Sequence, residues 1–180
     1  MKKLILAVAI GLALSPLWAD DETETIGDYT WTFTTNDVEA VITGVTPQPT
    51  GDLIIPSALA EKTVTGIGTG VFADCYDLTS VVIGDGVRDI GESAFNRCHG
   101  LTNVTMGINV ANIGDSAFWD CKTLSGRLPL PNSVTNIGAS AFRYCSELTG
   151  LTIGSGVAVI GPLPPGKSAN FFRVRMTKGR

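Results

Sequence analysis

Hydrophobic positions in this chain keep one phase over a long distance. Phe72, Phe95, Phe118 and Phe142 stand 23, 23 and 24 residues apart. Cys75, Cys98, Cys121 and Cys145 follow three residues after each Phe, and Leu78, Leu101, Leu124 and Leu148 three after each Cys. Val81, Val104, Leu128 and Leu151 come next, then Ile83, Met106, Leu130 and Ile153 two residues on. Val87, Val110, Val134 and Val157 lie four beyond those, and each unit closes on Ile-Gly, from Ile67-Gly68 to Ile160-Gly161. The one 24-residue step comes from a single extra residue in Ser125-Gly126-Arg127. A fixed period of this size is the signature of stacked structural repeats.

Each unit can be read locally. Val81-Val82-Ile83 alternates inward, outward, inward, as a short strand does, and Val104-Thr105-Met106, Leu128-Pro129-Leu130 and Leu151-Thr152-Ile153 copy it. Asp52-Leu53-Ile54-Ile55-Pro56 supplies a fifth, N-terminal strand, with five extra residues placed in the Ser57–Thr63 connection. Gly84-Asp85-Gly86 and Pro131-Asn132-Ser133 turn the chain. Ser93-Ala94-Phe95 and its copies read as a short helix or 3₁₀ turn, with Ala permitting close approach and Phe filling the interior. No unit can bury its apolar edge alone, whereas stacked units share a continuous core. Each inward Phe, Leu, Val or Ile then contributes about 1.5–3 kcal/mol on burial.

The ends break the pattern. Tyr29, Trp31 and Phe33 alternate with Thr30, Thr32 and Thr34, a strand with one aromatic face. Asn36-Asp37 turns the chain, and Glu39–Val45 returns. This hairpin reads as a cap over the first repeat, the alternative being an aromatic sugar platform. At the other end Gly161-Pro162-Leu163-Pro164-Pro165-Gly166 replaces the expected Ala-Phe-x-x-Cys, and the prolines stop regular structure. Residues 168–180 follow, with Phe171–Met176 as an expected strand.

Charge sharpens this division. The formal net charge is −4 over 180 residues. Residues 1–19 hold a basic start, an apolar run from Leu4 to Leu14, and a break ending in Ala19, the layout of a cleaved secretory signal peptide. An 11-residue run is too short for a bilayer of roughly 30 Å. Without it the charge is −6, split into −11 for residues 20–166 and +5 for the tail. The resulting divisions are 1–19 signal peptide, 20–51 hairpin cap, 52–161 solenoid, and 162–180 Pro-rich linker and basic tail. The tail reads as a docked cap strand, with a surface-attachment signal as the alternative.

No catalytic, cofactor or metal site emerges. One His and no Cys-x-x-Cys argue against zinc and dithiol chemistry, and a net acidic body argues against nucleic acid. Four Cys in an exported chain raise the prospect of disulfides, but their equal phase stacks them near the strand spacing of roughly 4.8 Å, so a buried free ladder is expected. His99 adjoins Cys98, but it occupies a variable position shared with Tyr76, Lys122 and Ser146. The Asp residues at 74, 77, 85, 89, 115 and 120 are spread over several turns rather than gathered in a calcium loop. Asn103-Val104-Thr105 fits a glycosylation acceptor, but Val104 points inward. What remains is surface: the outward row Val82, Thr105, Pro129 and Thr152, flanked by Ser80, Asn103 and Arg127. Such a face suits a macromolecule better than a small molecule, which needs a pocket with convergent polar groups.

The runs Ala94-Phe95-Asn96-Arg97-Cys98-His99-Gly100-Leu101 and Ala117-Phe118-Trp119-Asp120-Cys121-Lys122-Thr123-Leu124 carry a family likeness. With the Val-x-Ile and Val-x-x-Ile-Gly positions, they resemble the BspA-type leucine-rich repeat, a bacterial 23-residue class of exported surface proteins. The likeness covers about residues 53–161. It implies a leucine-rich repeat solenoid of short parallel strands, here with 3₁₀ or short helical turns and behind the N-terminal β-hairpin read from the aromatic alternation. It also implies a non-enzymatic, secreted or cell-surface protein that binds proteins of a host, a matrix or a neighbouring cell. The alternative is a structural or presentation scaffold, or a truncated array with no ligand of its own.

Overall fold

The fold is seen in a computed structural model that describes residues 21–154 and 156–161. The expected signal segment and basic tail lie outside the described residues. The N-terminal part is a three-stranded meander rather than a lone hairpin. Strands β1 (Glu22–Ile26), β2 (Tyr29–Thr35) and β3 (Glu39–Thr46) pair antiparallel in that order. Strands β2 and β3 are the hairpin the aromatic alternation predicts. Strand β1, with its Glu and Thr residues, has no apolar face for periodicity to detect.

Five turns of solenoid follow. The first holds β4 (Gly51–Ile54), β5 (Ala58–Leu59) and β6 (Lys62–Ile67). The next four each hold two strands: β7 (Leu78–Val82) and β8 (Asp89–Ile90), β9 (Asn103–Thr105) and β10 (Asn112–Ile113), β11 (Gly126–Pro129) and β12 (Asn136–Ile137), β13 (Leu148–Thr152) and β14 (Val159–Ile160). The extra residues of the first connection form a small hairpin, in which β5 pairs antiparallel with β6 across left-handed Ala60 and Glu61.

The two strand sides differ in continuity. On one, β6, β8, β10, β12 and β14 pair in parallel, and β3 joins β6, so the cap is fused to the array through one sheet. On the other, β4, β7 and β9 form one sheet and β11 and β13 a second. The break coincides with the extra residue at 125–127 and with Pro129, which has no N–H to give to a ladder. The five strands expected on this side are all present, but they do not make one sheet.

The third side corrects an expectation. Ser93-Ala94-Phe95 and its copies form hydrogen-bonded turns, and no helical segment occurs among the described residues. Local bonds start a helix-like path, with Ala94 N donating to Gly91 O at 3.3 Å and Asn96 N to Ser93 O at 3.0 Å. Left-handed Ser93 (φ 54°) and Arg97 (φ 59°) stop it. The alternate amides go to the next turn instead: Phe95 N donates to Ala117 O at 2.7 Å and Arg97 N to Trp119 O at 2.7 Å. Stacking, rather than local helix formation, satisfies these donors.

The core runs along the solenoid axis. Phe72, Phe95, Phe118 and Phe142 are stacked, with centroids 4.9, 5.1 and 5.3 Å apart. Trp31 meets Phe72 edge-on at 6.3 Å, and both Trp31 and Phe33 are buried. The hairpin aromatics therefore close the core, and the sugar-platform alternative falls. The repeated glycine after each Ile has a steric cause. A Cβ on Gly91 would lie 2.7 Å from the Gly68 carbonyl carbon, and one on Gly114 2.6 Å from that of Gly91.

Candidate functional site

The row expected to bind a partner lies on the interrupted strand side. Val82, Thr105 and Pro129 are exposed and Thr152 is half-buried. Val82 is opposite Thr105, and Pro129 opposite Thr152, but no pairing joins the two halves. Ile54 extends the row by one turn, opposite Val82, and is 72% exposed. Asn103 and Arg127 are exposed, while Ser80 is half-buried. Ser80 Oγ donates to Asp52 Oδ1 at 2.6 Å and Thr79 Oγ1 to the same oxygen at 3.0 Å. Those bonds, Ser80 first, hold the Asp52 carboxyl below its ordinary range.

A second surface group lies outside the strand row; Tyr76, Arg97, Lys122 and Tyr144 in it are exposed, and Trp119, Asp120 and Arg143 are half-buried. The loop between each core Phe and Cys turns outward, so its residues form columns on a corner of the solenoid. At the second residue after Phe stand Asp74, Arg97, Asp120 and Tyr144, all left-handed with φ between 59° and 64°. At the first stand Asn96, Trp119 and Arg143, and just beyond Cys stand Tyr76, His99 and Lys122. The side chains interlock between turns. Arg97 pairs with Asp74 at 3.3 Å, and Tyr76 donates its hydroxyl to Asp74 Oδ1 at 2.8 Å. That bond, with some desolvation, raises the Tyr76 phenol above its ordinary value.

His99 Nε2 lies 2.9 Å from Asp120 Oδ2, and Lys122 Nζ is 3.4 Å from the same oxygen. The Tyr76 and His99 rings are 5.3 Å apart. Further along, Trp119 meets Tyr144 edge-to-face at 5.5 Å and 83°, and the Arg143 guanidinium lies 4.6 Å over the Tyr144 ring. Arg143 Nη2 also donates to Tyr144 Oη at 2.7 Å. Aromatics at positions outside the repeat consensus were the available signal for this corner. Their convergence needed the stacking register.

Candidate chemistry separates in space. Cys98 Sγ points inward and donates to Phe72 O at 3.0 Å, while His99 turns outward to Asp120. They form no thiol–imidazole pair. All four thiols are free and buried. Burial, as the largest cause, pushes the Cys75 thiol up to about 12, and hydrogen bonding with Cys145 and Cys98 raises that of Cys121. Among the described residues no three His, Cys, Asp or Glu side chains converge as a metal site would require, and no helix is long and apolar enough to cross a membrane.

Comparison with other proteins places this geometry. The pattern of the BspA type leucine rich repeat region matches residues 55–163 in six copies. A leucine-rich repeat protein from Bacteroides ovatus is similar over 77% of this chain and 37% of its own, with 30% identity and a TM-score of 0.66. One from Bacteroides capillosus is similar over 79% of this chain and 98% of its own, at 25% identity and a TM-score of 0.58. A leucine rich cell surface protein from Faecalibacterium prausnitzii is similar over 79% of this chain and 44% of its own, at 29% identity and a TM-score of 0.57. The chain thus spans less than half the length of the first and last of these proteins. No curated protein matches the chain by sequence.

Proposed function

Because the chain belongs to the BspA-type leucine-rich repeat family, we propose that it is an exported, non-enzymatic module that binds another protein at the cell surface. The observation that carries this reading is the division of labour in each turn. Repeat-conserving positions fill a continuous core, while non-repeating positions are held in fixed columns that are exposed or half-buried. Such an array presents variable side chains on an invariant frame, which is how repeat proteins build extended binding surfaces. The similar cell-surface protein supports the location. The row Val82, Thr105, Pro129 and Thr152, with Ser80, Asn103 and Arg127, would lie within or beside the contact.

The test is binding of the folded chain to immobilised, purified extracellular-matrix and host-surface proteins. Saturable binding to at least one, weakened by salt, is the expected result. No binding to any of them would favour the alternative, a scaffold whose repeats only space other segments.

A further inference from the structure

The corner formed by Trp119, Arg143 and Tyr144 carries more than the strand row does. Tyr144 occupies the left-handed region at φ 64°. That conformation is tolerated by Gly, Asn and Asp and is costly for a bulky side chain. The other turns place Asp74, Arg97 and Asp120 at this position with the same left-handed backbone, so the conformation belongs to the repeat and Tyr144 is a bulky choice within it. An aromatic ring here is 51% exposed and adds nothing to the core. Stability of the turn does not explain the choice of an exposed aromatic there.

Charge gives the second observation. Residues 21–161 contain six Lys and Arg, and three of them, Arg97, Lys122 and Arg143, fall on this corner in successive turns. Arg97 and Lys122 are paired with Asp74 and Asp120. Arg143 has no carboxylate within 4.0 Å among the described residues; it lies against Tyr144 instead. Trp, Tyr and Arg are also the side chains that dominate protein-binding hot spots.

Ring geometry indicates the ligand class. Trp119 and Tyr144 meet at 83°, and one face of Tyr144 is covered by Arg143. Tyr76, too, is flanked by His99 and Arg97. A sugar needs an open, flat ring face. A wedge of two rings beside a guanidinium with no carboxylate partner among the described residues fits a branched or aromatic side chain next to an acid. We infer that this corner is the centre of the binding surface, and that it takes a protein segment placing an apolar side chain on Trp119 and Tyr144 and a carboxylate on Arg143. The inference rests on the protein-binding reading above and names the site and partner chemistry within it.

The test pans a phage-displayed library of random peptides against the folded chain and measures the enriched sequences as synthetic peptides by calorimetry. Enriched peptides should carry Asp or Glu close to Leu, Ile, Phe or Trp. Arg143→Glu and Trp119→Ala should each weaken them by about tenfold or more, the size of a hot-spot loss. Val38→Ser, at the 67% exposed tip of the β2–β3 turn and outside both surfaces, should change affinity by less than about twofold, as expected away from a hot spot. Tyr144→Asn should weaken binding while leaving the melting temperature equal or higher, which separates loss of contact from loss of fold.

Two results would overturn the corner: enrichment no greater than on the Arg143→Glu/Tyr144→Asn double variant, or peptides whose affinity depends on Thr105 rather than Arg143. Retention of neutral glucan or xylan oligosaccharides in place of peptides would overturn it as well. The wider reading fails separately, if neither peptides nor the purified extracellular proteins bind by any face.

Discussion

The ring of Phe118 lies 5.1 Å from that of Phe95 and within 4° of parallel, although 22 residues separate them in the chain. Both are fully buried. Each ring is thus the floor of one turn and the ceiling of the next, and the repeats share one core rather than owning separate ones.

Phe95→Ala or Phe118→Ala should therefore cost about 3–5 kcal/mol, because the cavity is walled by stacked neighbours that cannot collapse into it. Equilibrium urea unfolding measures this. A cost below about 1 kcal/mol, the range of many tolerated substitutions, would place these rings outside the core.

Gly114→Ala should destabilise by about 1–3 kcal/mol, since its Cβ would enter the backbone of the preceding turn at 2.6 Å. Gly84→Ala is the control. It has nothing within 4 Å of its Cβ position and an unremarkable φ, so its melting temperature should barely move.

The cysteines predict an alkaline limit. The folded Cys75 pKa, about 12, exceeds the unfolded thiol value of roughly 8.5. The native state then holds protons that the unfolded chain releases, and stability falls with rising pH in that interval. The contribution is intact below about pH 8.5 and is lost progressively towards pH 12. Chemical denaturation at several pH values tests the slope. In parallel, a thiol reagent at neutral pH should label none of the four cysteines in the folded chain and all four after unfolding.

Thr105→Arg should leave stability within about 0.5 kcal/mol, because its side chain is exposed on β9. Thermal unfolding checks this. A larger loss would mean that the strand row is part of the packing rather than free surface.

Hydrogen exchange should be uneven along the strand sides. Amides of β10 and β12 are laddered on both flanks. Amides of Gly126 and Arg127 sit where the strand side is interrupted, so they should exchange faster.

The path from sequence to structure can be followed residue by residue. Phe95, Cys98, Leu101, Val104 and Ile113 are buried as their phase requires, because a 23-residue period leaves each only one place in a stack. The hairpin aromatics were legible as a strand face, and Trp31 confirms that face by touching Phe72. The turn at Ser93–Phe95 reads as a short helix or 3₁₀ turn from sequence, because short Ala-Phe segments carry no local record of hydrogen bonds made to the next turn. Strand β1 was missed, since alternating Glu and Thr is also the pattern of an exposed loop. The strand row was found by alternation, but its interruption beside Pro129 was not, because pairing belongs to two strands at once.

The sequence by itself determined the period, the inward residues and the family of the fold, since burial repeats with the chain and the hydrophobic effect acts on composition at each position. Tertiary structure alone decided which exposed residues meet. Trp119 and Tyr144, 25 positions apart, become neighbours at 5.5 Å only because the rise from turn to turn is about the thickness of one strand. No local preference encodes that contact. The stacking of the core brings the pair together.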